Sequence, residues 1–441
     1  MSGSDPHGRD ARLGGSRGDF RIDAAWLLRP GEGRAVLASG AAYLFLLCGY
    51  YMLRSLREAY ALEVGREHIA TLFYIALAVM VVVLPLYWFV VARLPRRSMF
   101  PAIYSAVALL FLGLAFGMQA MPGGKLLPAV YWVSVTSLNL FIVSVFWSVM
   151  VDAWRSGSAK RVFGFIAAGG SIGAILGPMF NSLFVERVGA TVVIVIAVTL
   201  LLVAAALGHR AQAAEARSEG LDPAARLALP VGGRAIDDIR RLVTSPYLLA
   251  IAGIVVLGQI IGGFMYQEQA KYVEAAYTTL ESRAALFAKI DWATNGLALL
   301  FQAGIVGWLA ARGGLRAALG AVPVLLLGSF LLLALAPVGA VLIATQVLRR
   351  AIDYGLFKPT REMLFTVLNP ESKFKSKSLI DTVLQRGGDS LSQLTYPLVA
   401  GLGLAGVAWS LAGVSLLMLA VALWLAAVFS RREGVGSTPG T

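Results

Sequence analysis

Four polar side chains recur along the first apolar stretch: Tyr43, Tyr50, Arg54 and Arg57. At about 100° of helix rotation per residue they fall within about 60° of one another. Guanidinium groups match the planar geometry of carboxylate and phosphate. Tyr50, Arg54 and Arg57 are therefore candidate substrate ligands, with snorkelling to the surface or pairing with Glu58 as the plainer reading. A second stripe holds Asp381, Gln385, Asp389 and Gln393, one residue in four, with Arg386 three before Asp389. Gln385, Asp389 and Gln393 are candidate substrate contacts, and Asp381 and Arg386 candidate coupling groups. The plainer reading is a packing face between helices, held by internal hydrogen bonds. A third group places Gln346, Arg350 and Asp353 on one side, with Arg349 four residues before Asp353. It serves either substrate coupling or an intrahelical ion pair. Glu268 is a candidate proton or substrate site, or the partner of Lys271 at the outer rim. Lys289 and Asp291 read as rim residues. Asp152 and Lys160 with Arg155 and Arg161, and Glu362 and Arg361 with Lys373, Lys375 and Lys377, read as matched inner gates or as ordinary basic loops.

Other chemistries lack their residues. The three histidines, His7, His68 and His209, are far apart, and Cys48 is the single cysteine. No metal pattern, hydrolytic triad or internal disulfide follows, and no cofactor is expected. Gly164, Gly169, Gly170, Gly173 and Gly177 lack the Lys-Ser/Thr that completes a phosphate loop. They read instead as small-residue contacts between membrane helices.

The elements that carry these residues are apolar and long. The chain of 441 residues is 58% hydrophobic and 14% charged, against roughly 25% charged in soluble domains. That excludes a soluble enzyme, a disordered chain and a disulfide scaffold. With about 20 apolar residues per crossing, twelve spans are expected: 35–57, 68–92, 99–119, 127–152, 161–185, 190–208, 247–270, 284–310, 315–336, 338–357, 378–403 and 405–429. Segment 1–33 reads as a disordered cytoplasmic tail, 34–208 as an N-terminal six-helix half, and 209–245 as a cytoplasmic linker. Segment 246–430 reads as a C-terminal six-helix half and 431–441 as a second tail. Segments expected inside hold 27 Lys and Arg and those outside hold 7, so both termini are expected in the cytoplasm. The net charge of +13 then reflects basic inner loops and not nucleic acid. The expected setting is a cell (inner) membrane, multi-pass, as a monomer in the lipid bilayer.

The halves echo each other at an offset of about 218 residues. Lys160, Gly169, Gly170 and Pro178 correspond to Lys377, Gly387, Gly388 and Pro397, and Glu58-Ala59-Tyr60 with Glu63 to Glu274-Ala275-Ala276-Tyr277 with Glu281. Two six-helix halves running in the same direction are parallel repeats, the arrangement of the major facilitator superfamily. The fold expected is thus an all-α membrane protein with twelve transmembrane helices in two parallel repeats.

Three segments also resemble the ATP/ADP translocase (nucleotide exchanger) family. Tyr51-Met52-Leu53-Arg54-Ser55-Leu56-Arg57-Glu58 is similar to its Leu-Arg-x-x-Arg/Lys-Asp signature. Phe146-Trp147-Ser148 with Ala159-Lys160-Arg161-Val162-Phe163-Gly164 is similar to its span 4–5 block. Arg361-Glu362-Met363-Leu364, Lys373-Phe374-Lys375-Ser376-Lys377 and Ile380-Asp381 are similar to its span 10–11 block. The resemblance implies nucleotide antiport and gives Arg54 and Arg57 a binding role. The family's charged residues are replaced near Phe73 and Tyr74, near Val135 and Thr136, and at Asp389. The function expected is secondary active transport of an organic anion by alternating access, without exchange of ATP for ADP. The alternatives are proton-coupled efflux of a cationic or amphipathic compound, and a non-transporting membrane receptor or scaffold.

Overall fold

The computed structural model describes residues 33–93, 96–153, 156–219, 245–367, 380 and 384–436. The expected N-terminal tail, the linker core and the end of the C-terminal tail lie outside them. In the first half the helices are α1 (Gly33–Val64), α2 (Ile69–Arg93), α3 (Arg96–Ala120), α4 (Leu126–Ala153), α5 (Ser156–Val188) and α6 (Ala190–Glu219). The second half holds α7 (Pro246–Ala276), α8 (Leu280–Leu300), α9 (Val306–Leu335), α10 (Gly339–Ile352), α11 (Lys358–Leu364), α12 (Gln385–Thr395), α13 (Pro397–Ala400) and α14 (Gly403–Gly436). Eight helices among the described residues are long and apolar enough to cross a membrane, and the chain is a multi-pass membrane protein.

In lipid an unsatisfied backbone group is costly, so each crossing closes its own hydrogen bonds as a helix. The stops are local. Gly65 (φ 112°) and Gly189 (φ 82°) follow α1 and α5 in the left-handed region, where glycine carries no Cβ penalty. At its start, α7 is capped by Ser245, whose hydroxyl accepts from the Leu248 amide, with Pro246 next in line. Gly314 (φ 61°) breaks α9 inside the basic loop Arg312-Gly313-Gly314-Leu315-Arg316. The expected boundary between spans 8 and 9 falls there.

Both halves pack by one plan. α1 lies against α5 and α6, α3 against α6, and α2 against α4; in the second half α7 lies against α12 and α14, α9 against α14, and α8 against α10. The halves meet where α8 contacts α5 and α1, and where α12 contacts α2. Two large apolar cores result, beside a small cluster of Ala61, Val64, Leu72, Ala76 and Trp132. One contains first-half residues plus Ala270, Val273, Ala284, Ala285 and Phe287 from the tips of α7 and α8; the other lies wholly in the second half.

Close approach of α1 to α5 follows from the glycine run. A Cβ at Gly169, Gly173 or Gly177 would meet the carbonyl oxygens of Gly40, Leu44 and Cys48 respectively. Side-chain-free backbone against backbone is the packing that small residues permit in membranes. Gly164, expected in the same stripe, faces open space.

Turns after α1, α3, α5 and α7 share one face of the bundle with the turn after α9. Lys125 in the α3–α4 turn reaches Glu67 in the α1–α2 turn at 3.6 Å. We refer to this as the odd-turn face. The opposite face holds the start of α1 and the end of α14.

Candidate functional site

A cleft of about 500 Å³ runs between the halves, walled by α1, α2, α4, α7, α10, α12 and the turns beside them. Its lining carries six cations, Arg54, Arg57, Arg349, Arg350, Lys358 and Arg386, and three acids, Glu58, Asp353 and Asp389. Charged groups at this depth are expensive in lipid and settle only around partners or water.

Most of the cations are already engaged. Arg57 pairs with Glu58, donates to Thr136 Oγ1 at 3.3 Å and lies 5.5 Å from the centre of the Trp132 ring. Arg350 donates to Asp291 at 2.5 Å. Asp291 is only 2% exposed, so its placement at the rim is corrected: it is the buried counterion of a cavity arginine. Arg386 reaches Asp389 at 3.3 Å, and Gln259 donates to the same carboxylate at 2.5 Å. Lys358 stands 4.0 Å from Asp353 and above the Tyr354 ring at 4.4 Å.

Two guanidiniums differ. Arg54 donates to the Tyr354 hydroxyl at 3.2 Å, and Arg349 donates to Gln346 at 2.9 Å. Neither has a carboxylate within 4 Å among the described residues. Even with Asp291 added behind the wall, six cations face four acids. The cleft is electropositive, with two guanidiniums bonded to a phenol and to an amide oxygen and to no carboxylate among the described residues.

Two π-helical turns shape the wall near Arg54. One, Phe301–Ile305, follows α8; the other, Asp353–Phe357, joins α10 to α11. Gln302 of the first donates to the Tyr354 carbonyl of the second at 3.0 Å. A Cβ at Gly355 would meet the Ala298 carbonyl, so glycine lets the two turns touch. Such single turns widen a helix and re-aim its side chains, often at functional sites. Here they direct Tyr354 at Arg54. Of the two readings of Arg349 and Asp353, the intrahelical ion pair does not form within 4 Å; Asp353 has Lys358 at 4.0 Å instead.

The other expected residues divide as follows. Tyr50, Arg54, Arg57, Gln385, Asp389, Arg350, Asp353 and Arg386 line the cleft. Tyr43 lies outside it, in an adjoining crevice of about 290 Å³ that shares Tyr51, Gln302 and Tyr354 with the cleft. Gln393 is corrected: it is 3% exposed and accepts from Gln267 at 2.5 Å in the α7–α12 contact. Glu268 is likewise 4% exposed and away from the cleft, held by Lys271 at 3.1 Å and the Tyr396 hydroxyl at 2.5 Å. Asp381 and the side chains of Asp152 and Lys160 lie outside the described residues. Sequence reasoning missed Tyr354, Gln259 and Gln302 as wall residues. Nothing in a helical period marks them, because bulges and cross-helix bonds place them.

The cleft is sealed at the odd-turn face. Glu58 accepts from the Tyr266 hydroxyl of the other half at 2.6 Å. Beyond it, Arg66 pairs with Glu274 and Arg283 with Glu63, each at 2.9 Å. The two arginines hold corresponding places in the repeat, and each crosses to an acid of the opposite half.

Residues 316–433 match the family model described as TLC ATP/ADP transporter. That stretch includes Arg349, Arg350, Arg386 and Asp389 but not Arg54 or Arg57. No curated protein matches the chain. Solved structures resemble nearly all of it. A bacterial homologue of the iron transporter ferroportin, inward-facing, superposes with a TM-score of 0.60 at 12% identity, covering 90% of this chain and 98% of that one. A bacterial homologue of the human lysosomal transporter Spinster, inward-facing and unoccupied, gives 0.58 at 12% identity over 92% and 98%. The nucleoside transporter NupG gives 0.57 at 12% identity over 90% and 99%. The chain has the fold of these membrane transporters, the major facilitator fold.

Proposed function

We propose that this protein is a secondary transporter that carries an organic anion through the central cleft by alternating access. One observation carries the reading: among six cations in a membrane-embedded cleft, Arg54 and Arg349 have no carboxylate partner within 4 Å among the described residues. A guanidinium left without a counter-charge at this depth is stabilised when an anion arrives. Arg54, Arg349 and Tyr354 are the substrate contacts we assign first, with Gln385 and Gln302 at the cleft wall. Arg57, Arg350 and Arg386 are held by acids and set the surrounding field. The orientation that follows from the basic loops places both termini in the cytoplasm of a cell (inner) membrane, and the cleft then opens inward.

The match over residues 316–433 favours a nucleotide among organic anions. Against the ATP/ADP pair stands Asp389, whose carboxylate enters the cleft beside Arg386 and repels a triphosphate unless it is neutralised.

Thermal unfolding of the purified protein tests the reading. A ligand that binds only the folded state raises the midpoint by mass action. We expect stabilisation by an organic mono- or dianion, lost in Arg54→Gln and in Arg349→Gln. Stabilisation by cationic amphiphiles, unchanged in both variants, would overturn it in favour of cation efflux. Labelled-substrate counterflow in proteoliposomes then separates a transporter from a receptor.

A further inference from the structure

The sealed end of the cleft contains one group that touches both the cleft and the opposite half. Glu58 is 8% exposed. One carboxylate oxygen pairs with Arg57, and the other accepts from the Tyr266 hydroxyl on α7 at 2.6 Å. The hydroxyl is aimed by its ring, which stands edge-on to Phe73 of α2 at 5.4 Å. One turn outward, Ala270 is 4% exposed within the first-half core. Arg57, Glu58 and Tyr266 all line the cleft, so an anion there reaches the same atoms that join the halves.

We propose that Glu58 is the coupling residue of the transport cycle: a bound anion competes with it for Arg57, and loss of that pairing releases the Tyr266 bond that holds the odd-turn face shut. The chemistry is an exchange of one carboxylate for another anion on a single guanidinium. Glu58 keeps two donors, Arg57 on its own helix and Tyr266 on α7, and orients its carboxylate for both. Without the arginine Glu58 is a buried carboxylate with no counter-charge, a cost that is relieved when the halves part and water reaches it in place of Tyr266. This inference rests on the anion-transport reading and adds the identity of the group through which binding is felt.

The remaining contacts at this face do not serve the same end. Arg66–Glu274 and Arg283–Glu63 lie outward of the cleft and do not line it. They help to close the face but have no contact with a ligand in the cleft.

Cysteine labelling in nanodiscs tests the proposal, because Cys48 is the only native cysteine. In a Cys48→Ala background, Ala270→Cys places a thiol in the sealed contact between the halves. Its modification rate by a maleimide reports opening of the odd-turn face. Tyr266→Phe and Glu58→Gln should each raise that rate roughly fivefold, the factor that one hydrogen bond's net worth gives. Inorganic pyrophosphate, the anion probe, should raise it in the parent but add nothing in Tyr266→Phe. Monodisperse elution of the Tyr266→Phe variant checks that folding is intact. A rate unchanged by Tyr266→Phe overturns the latch. Pyrophosphate binding, seen by calorimetry, with no change in the parent's rate overturns the competition. Absence of pyrophosphate binding, and of any stabilisation by organic anions, strikes the anion-transport reading itself, while the Tyr266→Phe rate still decides the latch.

Discussion

At the scale of the residue, pairing across helices separates what the sequence shows from what it hides. Tyr50, Arg54 and Arg57 were legible because 100° per residue is a fixed rule within one helix. Asp291 was not. Its partner, Arg350, is 59 positions away and on another helix, and no local period joins them. The stripe of span 11 failed gradually. Steps of four residues drift by about 40° each, so Gln385 and Asp389 reach the cleft while Gln393 turns into the α7 contact. The Asp291–Arg350 pair is the most deeply buried ion pair described, with side-chain exposures of 2% and 11%. Removing one partner strands the other charge, at a cost of about 3–5 kcal/mol. Asp291→Asn should therefore lower the thermal midpoint of the purified protein markedly, and Asp291→Leu with Arg350→Met should recover most of it. A single variant as stable as the parent would show that water already satisfies Arg350.

At the scale of the element, glycine positions make opposite forecasts along one helix. Gly173 lies where any Cβ would strike the Leu44 carbonyl, whereas Gly164 has nothing within 4 Å. Gly173→Leu should push α1 from α5 and cost about 1–3 kcal/mol as overpacking. Gly164→Ala should be neutral or stabilise by roughly 0.5–1 kcal/mol, since alanine suits a helix interior better. Unfolding midpoints of the two variants, compared side by side, check both signs. The glycine run itself was readable as a contact stripe. Which members touch was not, because the backbone of α1 closes on α5 at Gly169, Gly173 and Gly177 while Gly164 faces open space. The π-helical turns were invisible for a related reason. A bulge is set by the neighbour it accommodates, here the backbone at Ala298 against Gly355, and not by its own residue types.

At the scale of the whole molecule, the repeat and the basic asymmetry were legible, and the matching packing of the two halves agrees with the repeat. Orientation is a prediction that reporter fusions decide. A fusion at Gly124 should report outside and one at Leu221 inside; the reverse at either site would refute the assignment. The crossed pairs at the odd-turn face were half visible, since the repeat offered Glu58 and Glu63 with their counterparts but not their partners. Arg66 and Glu274 are each 40% exposed, so this pair is worth about 0–1 kcal/mol. In the Ala270→Cys background, Arg66→Glu should speed maleimide labelling only a few-fold, and adding Glu274→Arg should reverse it. Such weak, wet contacts have a consequence for the medium in which the protein works. Their attraction is screened over about 10 Å at 0.1 M salt and about 3 Å at 1 M, whereas Glu58, 8% exposed, holds Tyr266 by a direct hydrogen bond of 2.6 Å, a separation too short for screening to act on. The balance between the closed and open odd-turn face thus follows the salinity of the surrounding fluid, and a dilute habitat would favour a different resting state from a briny one.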